Sequence, residues 1–190
     1  MGWHSARATR ALQRLAEVDP AFASLSRWVE HLDGGARTLP AWSGGTTITY
    51  GPAFEALTLD EQVGTCGHHI LHVAFRHAAR AHAMKLRYGA DHDDTLFNIA
   101  SDAVLNEAIF RAGYILPRPC VLLSELLADA LSQPSAADAA LAEWDAEKLY
   151  VRLMSDAGRG EGSSGAKRAR DYAAGQGFER DLEQGGDPSE

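Results

Sequence analysis

The sequence predicts a mainly helical α+β fold. Apolar residues recur at helical spacing through most of the first 155 residues. A single stretch, residues 38–50, instead sets β-branched and aromatic residues on both sides of a glycine-rich turn, as a hairpin requires. A third observation concerns chemistry: six of the eight histidines lie between His68 and His92. Histidine is the commonest metal ligand.

Ser5 to Val18 is amphipathic, with Leu12 and Leu15 on one side. Asp19-Pro20 has the form of an N-cap and first helical residue. The helix it opens carries Phe22, Leu25, Val29 and Leu32 and is predicted to stop at Gly34-Gly35. The hairpin comes next, with Thr38–Trp42 and Thr46–Tyr50 flanking Ser43-Gly44-Gly45. Pro40 marks the first arm as an edge or irregular strand. The second arm reads as an edge strand onto which an extended peptide could add, or as a merely stabilising hairpin.

Thr58 and Glu61 have capping-box spacing, and the helix they open is predicted to run to about Arg87, with Gly89 as its stop. Asp91 to Asp94 supplies the next N-cap. The stripe Leu96, Ile99, Ala100, Ala103, Val104 and Ile109 then ends at Gly113. Val121–Leu131 and Ser135–Met154 read as two more helices.

From Asp156 to Glu190 the chain holds eight of its 18 glycines and few apolar residues, so the expectation there is an acidic linker or tail. The predicted organisation is one domain over residues 1–155 and a flexible segment over 156–190. The abrupt end at Asp187–Glu190 suggests a piece of something longer.

With 190 residues and a net charge of −8, the chain lacks the clustered cations that phosphate binding needs, so nucleic acid is an unexpected partner. No apolar run approaches the roughly 18 residues of a membrane span. The first ten residues lack the apolar core of a signal peptide. Cys66 and Cys120 cannot make a disulfide framework. The expectation is a cytoplasmic protein without a membrane partner.

His68 and His72 are four apart, which places them on one helix face a turn apart. Two imidazoles grip one zinc ion at this spacing in the His-Glu-x-x-His helix of metallopeptidases. Ile70, Leu71, Val73, Ala74 and Phe75 surround them, so the helix is expected to be buried, and buried imidazoles need partners. Asp102 sits in an apolar pattern where an unpaired carboxylate is costly, and it offers a third ligand. Zinc held by His68, His72 and Asp102 would keep one position open, the catalytic arrangement. The alternative is a pair of hydrogen-bonded core histidines, with Asp102 bonded to a neighbouring helix.

Three blocks occur in order: the hairpin with Tyr50-Gly51-Pro52-Ala53-Phe54, then His68-x-x-x-His72-Val-Ala-Phe-Arg-His77, then Asn98-Ile-Ala-Ser-Asp102-Ala-Val-Leu-Asn106. Together with Ala146–Tyr150 they resemble the N-terminal zincin-like domain of bacterial metallopeptidase-like proteins that carry a C-terminal von Willebrand A-like domain. The resemblance covers roughly residues 20–155. It implies a zincin-like domain in which a short hairpin precedes the metal-binding helix. It further implies a zinc cofactor, a peptide or protein substrate, and association with a MoxR-type AAA ATPase.

The sequence departs from the zinc-peptidase motif at one position. Where the glutamate stands directly after the first histidine, this chain has His69. That glutamate carries a proton from water to the leaving amine, and loss of a general base costs about 10²–10⁴-fold. His69 reads as a replacement base, an alternative ligand or a polar wall residue. Glu61, two turns before His68, is a candidate for a supporting catalytic role, and Glu107 a weaker one. His77, His82 and His92 read as surface residues, Asn98 and Asn106 as outer-layer donors or surface asparagines. Gly64 and Gly67 would permit close backbone approach.

Beside the reading of a helical domain with no metal, these features support two more. One is a zinc metallopeptidase-like domain with His68, His72 and Asp102 on the metal. The other is a catalytically silent zincin fold that binds a peptide or docks on a partner ATPase.

Overall fold

A computed structural model describes residues 5–35, 37–156 and 164–183. The readings of Met1–His4 and of Asp187–Glu190 lie outside the described residues. Contacts divide the chain into two units. One comprises residues 1–92, 113–117 and 181–190, and the other residues 93–112 and 118–180.

The first unit opens with helix α1 (Thr9–Val18), which buries Ala11 and Leu15 and packs on the histidine helix. The cap predicted at Asp19 is present: its Oδ1 accepts from the Ala21 N–H at 2.8 Å and opens α2 (Pro20–Leu25). The helix predicted to continue to Leu32 does not. After a 3₁₀ turn at Ser26–Trp28 the chain becomes strand β1 (Glu30–Asp33). Val29 and His31 are buried, alternating with partly exposed Glu30 and Leu32. A parallel ladder with a neighbouring strand overrides the helical spacing.

That neighbour is the second arm of the hairpin. Strands β2 (Ala41–Gly44) and β3 (Thr47–Tyr50) pair antiparallel, so the predicted hairpin is present, but its turn is Gly45-Thr46, with Gly45 at φ 59°, and Ser43 and Gly44 belong to β2 rather than to the turn. The sheet order is β1-β3-β2-β4, where β4 is Leu182–Glu183. β1 runs parallel to β3, and β4 runs parallel to β2. This corrects the edge-strand reading of Thr46–Tyr50. β3 is flanked on both sides, so the second hairpin arm is not an edge strand, and among the described residues β4 covers β2 at Ser43 and Gly44. Pro40 stands just ahead of β2, where its missing N–H costs no ladder bond.

Helix α3 (Leu59–Ala74) begins with the predicted capping box. Thr58 N–H donates to Glu61 Oε2 at 2.9 Å, and the Glu61 N–H donates to Thr58 Oγ1 at 3.3 Å. The single helix expected to reach Arg87 breaks at Phe75-Arg76. Arg76 adopts left-handed dihedrals (φ 55°, ψ 40°), and α4 (His77–Tyr88) starts in a new direction before ending at Gly89. No glycine or proline marks this break in the sequence. Gly64 lets α3 approach another segment closely: a Cβ there would lie 1.9 Å from the Ile115 carbonyl oxygen.

The second unit is helical and is built around α5 (Asp94–Arg111), buried on nearly all faces and capped by Asp93, whose Oδ1 accepts from Leu96 N–H at 2.8 Å. Helices α6 (Leu123–Leu131), α7 (Ala137–Glu143) and α8 (Ala146–Ser155) pack against it. The one helix predicted over Ser135–Met154 is therefore two. Asp145 interrupts it and caps α8 by accepting from Lys148 N–H at 2.8 Å.

The segment expected to be a flexible linker contains α9 (Gly165–Gly175), capped by Ser164, and then β4. Ala169 and Ala173, four apart, are fully buried in α9, which packs on α6. Arg168 donates to the Ala130 carbonyl at 2.7 Å and to Asp156 at 2.8 Å. Small alanines at helical spacing suffice for close packing, so low apolar content there does not mean disorder. Among the described residues no helix is long and apolar enough to cross a membrane.

Candidate metal centre

In the first unit, α3 carries Thr65 through Ile70 and His72 all buried, so both histidines of the motif face the interior. His68 is 6% exposed and His72 1%. Their Nε2 atoms converge to 2.9 Å. The third member comes from a residue the sequence reading missed. Ser43 N–H in β2 donates to the Asp181 carbonyl at 2.8 Å, the first bond of the β2–β4 ladder. That bond brings the Asp181 carboxylate to 3.3 Å from His68 Nε2, Oδ2 to nitrogen. One ligand atom each from His68, His72 and Asp181 lie within 4.8 Å of one another.

The protonation states suit a cation. Burial pushes His72 down to about 3, helped by the charge of His68 and opposed by Asp181. Burial likewise lowers His69 to about 3. Burial alone would raise the Asp181 carboxyl, but the hydrogen bond to His68 and the neighbouring imidazoles outweigh it and hold it well below the usual carboxylate range. His72 is thus neutral and the Asp181 carboxyl ionised, the forms in which these groups coordinate metals.

A dication fits this arrangement. Zinc–nitrogen bonds of about 2.0–2.1 Å at a tetrahedral centre set ligand atoms about 3.3 Å apart. The Nε2–Nε2 and Nε2–Oδ2 separations of 2.9 and 3.3 Å need little adjustment. Hydrogen-bond accounting leads to the same place. When His72 donates from Nδ1, its Nε2 is an acceptor. The His68 Nε2–H then points between two acceptors, His72 Nε2 and Asp181 Oδ2. One proton occupies the point where three donor atoms meet, and a dication is a stronger ligand for all three.

The remaining candidates take other positions. His69 is 2% exposed; its Nε2 is 3.8 Å from Asp181 Oδ2, and its buried Nδ1 has no hydrogen-bond partner among the described residues. The Glu61 carboxylate is engaged by Thr58, whose Oγ1 donates to it at 2.7 Å, so it serves the start of α3. His77, expected at the surface, is buried, with Nδ1 3.1 Å from His72 Nδ1; burial, then His72, pushes its pKa down to about 2. His82 is exposed and His92 half-buried.

In the second unit, Asp102 is 6% exposed on α5 and accepts from Asn98 Nδ2 at 2.7 Å, one turn earlier. Asn106 donates to the Val121 carbonyl at 2.9 Å. Glu107 accepts from the Ser124 N–H and hydroxyl at 2.9 and 2.8 Å, closing the N-terminus of α6. Asn98 thus steadies the carboxylate of interest, whereas Glu107 is a helix cap.

Little in the sequence announces Asp181. It is one carboxylate beside Leu182 in a glycine-rich stretch, and only strand pairing gives it a place. A family model described as Putative metallopeptidase domain matches residues 3–190. No curated protein and no solved structure matches the chain.

Proposed function

The chain belongs to the Putative metallopeptidase domain family, and from that premise we propose that it binds one zinc ion through His68, His72 and Asp181. The proposal keeps Asp102, read from the sequence as a ligand, as a further donor. The observation that carries the reading is the convergence of two buried imidazole nitrogens and an ionised carboxylate on one point. Imidazole and carboxylate donors suit zinc, and iron or manganese could occupy the same set. The class of substrate is a peptide or protein.

A zinc ion held there with one position left open would supply Lewis acidity and lower the pKa of a water to the neutral range. The chain's own residues shape its surroundings. Asp181 supplies negative charge to offset the dication, His72 a neutral lone pair, and Asn98 orients Asp102. His69 occupies the position where a zinc peptidase keeps its glutamate. An imidazole beside a dication is a poor proton carrier, because its charged form is repelled.

A second reading is a zinc-stabilised binding module, handing a peptide to a partner such as an AAA ATPase of the MoxR type. Two observations favour it: the histidine at position 69, and Asp181 as an added donor. Four protein donors close a tetrahedral site, whereas three leave it open.

Metal content by mass spectrometry, wild type against His72→Ala, tests the common premise. The expected result is one zinc per chain, lost in the variant. His69→Glu separates the two readings. If only the base is missing, peptide hydrolysis rises by about 10²–10⁴-fold. Unchanged hydrolysis with zinc retained assigns the domain to binding.

A further inference from the structure

We infer that His77 is the positioning residue of this centre: it accepts the Nδ1 proton of His72 and so fixes which nitrogen of His72 faces the metal. The inference rests on the zinc reading above.

The geometry is specific. His77 Nδ1 lies 3.1 Å from His72 Nδ1, with the rings at 78° and centroids 5.0 Å apart. Both residues are buried, at 2% and 1% exposure. A hydrogen bond between two ring nitrogens requires one donor and one acceptor. His72 Nε2 is the atom that meets His68 Nε2 at 2.9 Å, so it must carry the lone pair when a metal is bound. Its hydrogen then resides on Nδ1 and donates to His77 Nδ1. Ligating histidines commonly donate their second N–H to a carboxylate, a carbonyl or water. Here an imidazole takes that role.

The backbone is bent to make this contact. On an uninterrupted helix a residue five positions after His72 would point about 140° away from it. The break at Arg76 removes that offset. It places a non-glycine residue in left-handed dihedrals, a strain that persists only where surrounding structure enforces it. The helix is interrupted one residue before His77 and resumes with His77 as its first residue. The interruption therefore returns this ring to His72.

The test measures zinc affinity of the full chain by competition with a chromophoric chelator, for wild type, His77→Phe, His77→Gln and His72→Ala. Phenylalanine keeps the buried volume and removes the acceptor. Glutamine restores an acceptor through its amide oxygen. The expected result is a loss of about 10–100-fold in His77→Phe with stoichiometry still one, and recovery to within a few-fold in His77→Gln. Long-range proton–nitrogen correlation spectra of the zinc-loaded wild type should show His77 as its Nε2–H tautomer with Nδ1 accepting a hydrogen bond from His72, a signature that a packing role does not require. Zinc affinity unchanged in His77→Phe while His72→Ala has lost the metal overturns the positioning role and leaves the zinc reading standing. A His77→Gln variant as weak as His77→Phe also overturns it. A wild type that binds no zinc sinks the zinc reading itself and this inference with it.

Discussion

Asp181 Oδ2 lies 3.3 Å from His68 Nε2 and 3.8 Å from His69 Nε2. The first contact makes the carboxylate the donor of the proposed metal centre, and the second makes it a neighbour of the residue in the glutamate position. Asp181→Ala is therefore expected to weaken zinc binding by at least about 100-fold, more than an outer-layer substitution would. Asp181→Asn should fall between the two, since it keeps the shape and removes the charge. Chelator competition measures both. Wild-type affinity in Asp181→Ala would show that the two histidines hold the metal without it.

Gly64 makes the sharpest packing prediction. A methyl group there would lie 1.9 Å from the Ile115 oxygen and 2.9 Å from its carbonyl carbon, and backbone cannot swing aside as a side chain can. Gly64→Ala should cost about 1–3 kcal/mol in urea unfolding. Gly175→Ala, at the end of α9, meets no atom within 4 Å and serves as the control. It should be neutral or stabilising by up to about 1 kcal/mol. Equal effects at the two positions would contradict the close approach.

Asp93 gives a pH dependence with a defined sign. Burial alone would raise its pKa, but the hydrogen bond from Arg170 and the Leu96 N–H it caps outweigh burial and lower it. A folded value below the unfolded one, about 3.9, gives stability that is full above pH 3.9 and lost as pH falls through the folded value. Asp93→Asn keeps an N-cap and removes the charge. Wild type should exceed it at pH 7 by less than about 1 kcal/mol, because the pair is partly exposed. The gap should close below pH 4. Denaturant melts at pH 3 and 7 decide it, and a gap that widens in acid would reverse the assignment.

Local rules made part of this fold readable. The caps at Asp19, Thr58 and Asp93 and the stop at Gly89 each satisfy a helix end with nearby residues, and the hairpin turn rests on Gly45. What stayed hidden depends on partners distant in sequence. Val29 and His31 fit a helix or a strand equally well until β3 lies beside them. Nothing near Arg76 in the sequence signals a break, and the His72–His77 ring contact that accompanies it joins residues whose pairing the helical spacing does not predict. The same holds for the site. The spacing of His68 and His72 was legible and their convergence agrees with it, whereas Asp181 has no signal of its own. Its position exists only through the Ser43–Asp181 bond of the sheet.

The parallel pairing of β4 with β2 also orders events in time. The two imidazoles of α3 can meet as soon as that helix forms, a local step. The carboxylate arrives only after a loop on the order of 100 residues has closed, which costs entropy and is slow beside helix formation. A chain that has folded its helices but not docked β4 presents a bidentate histidine clamp, a weak and unselective trap for any divalent ion. On the zinc reading, tight uptake would report the docking of β4, and a metal held there would tie that strand to α3.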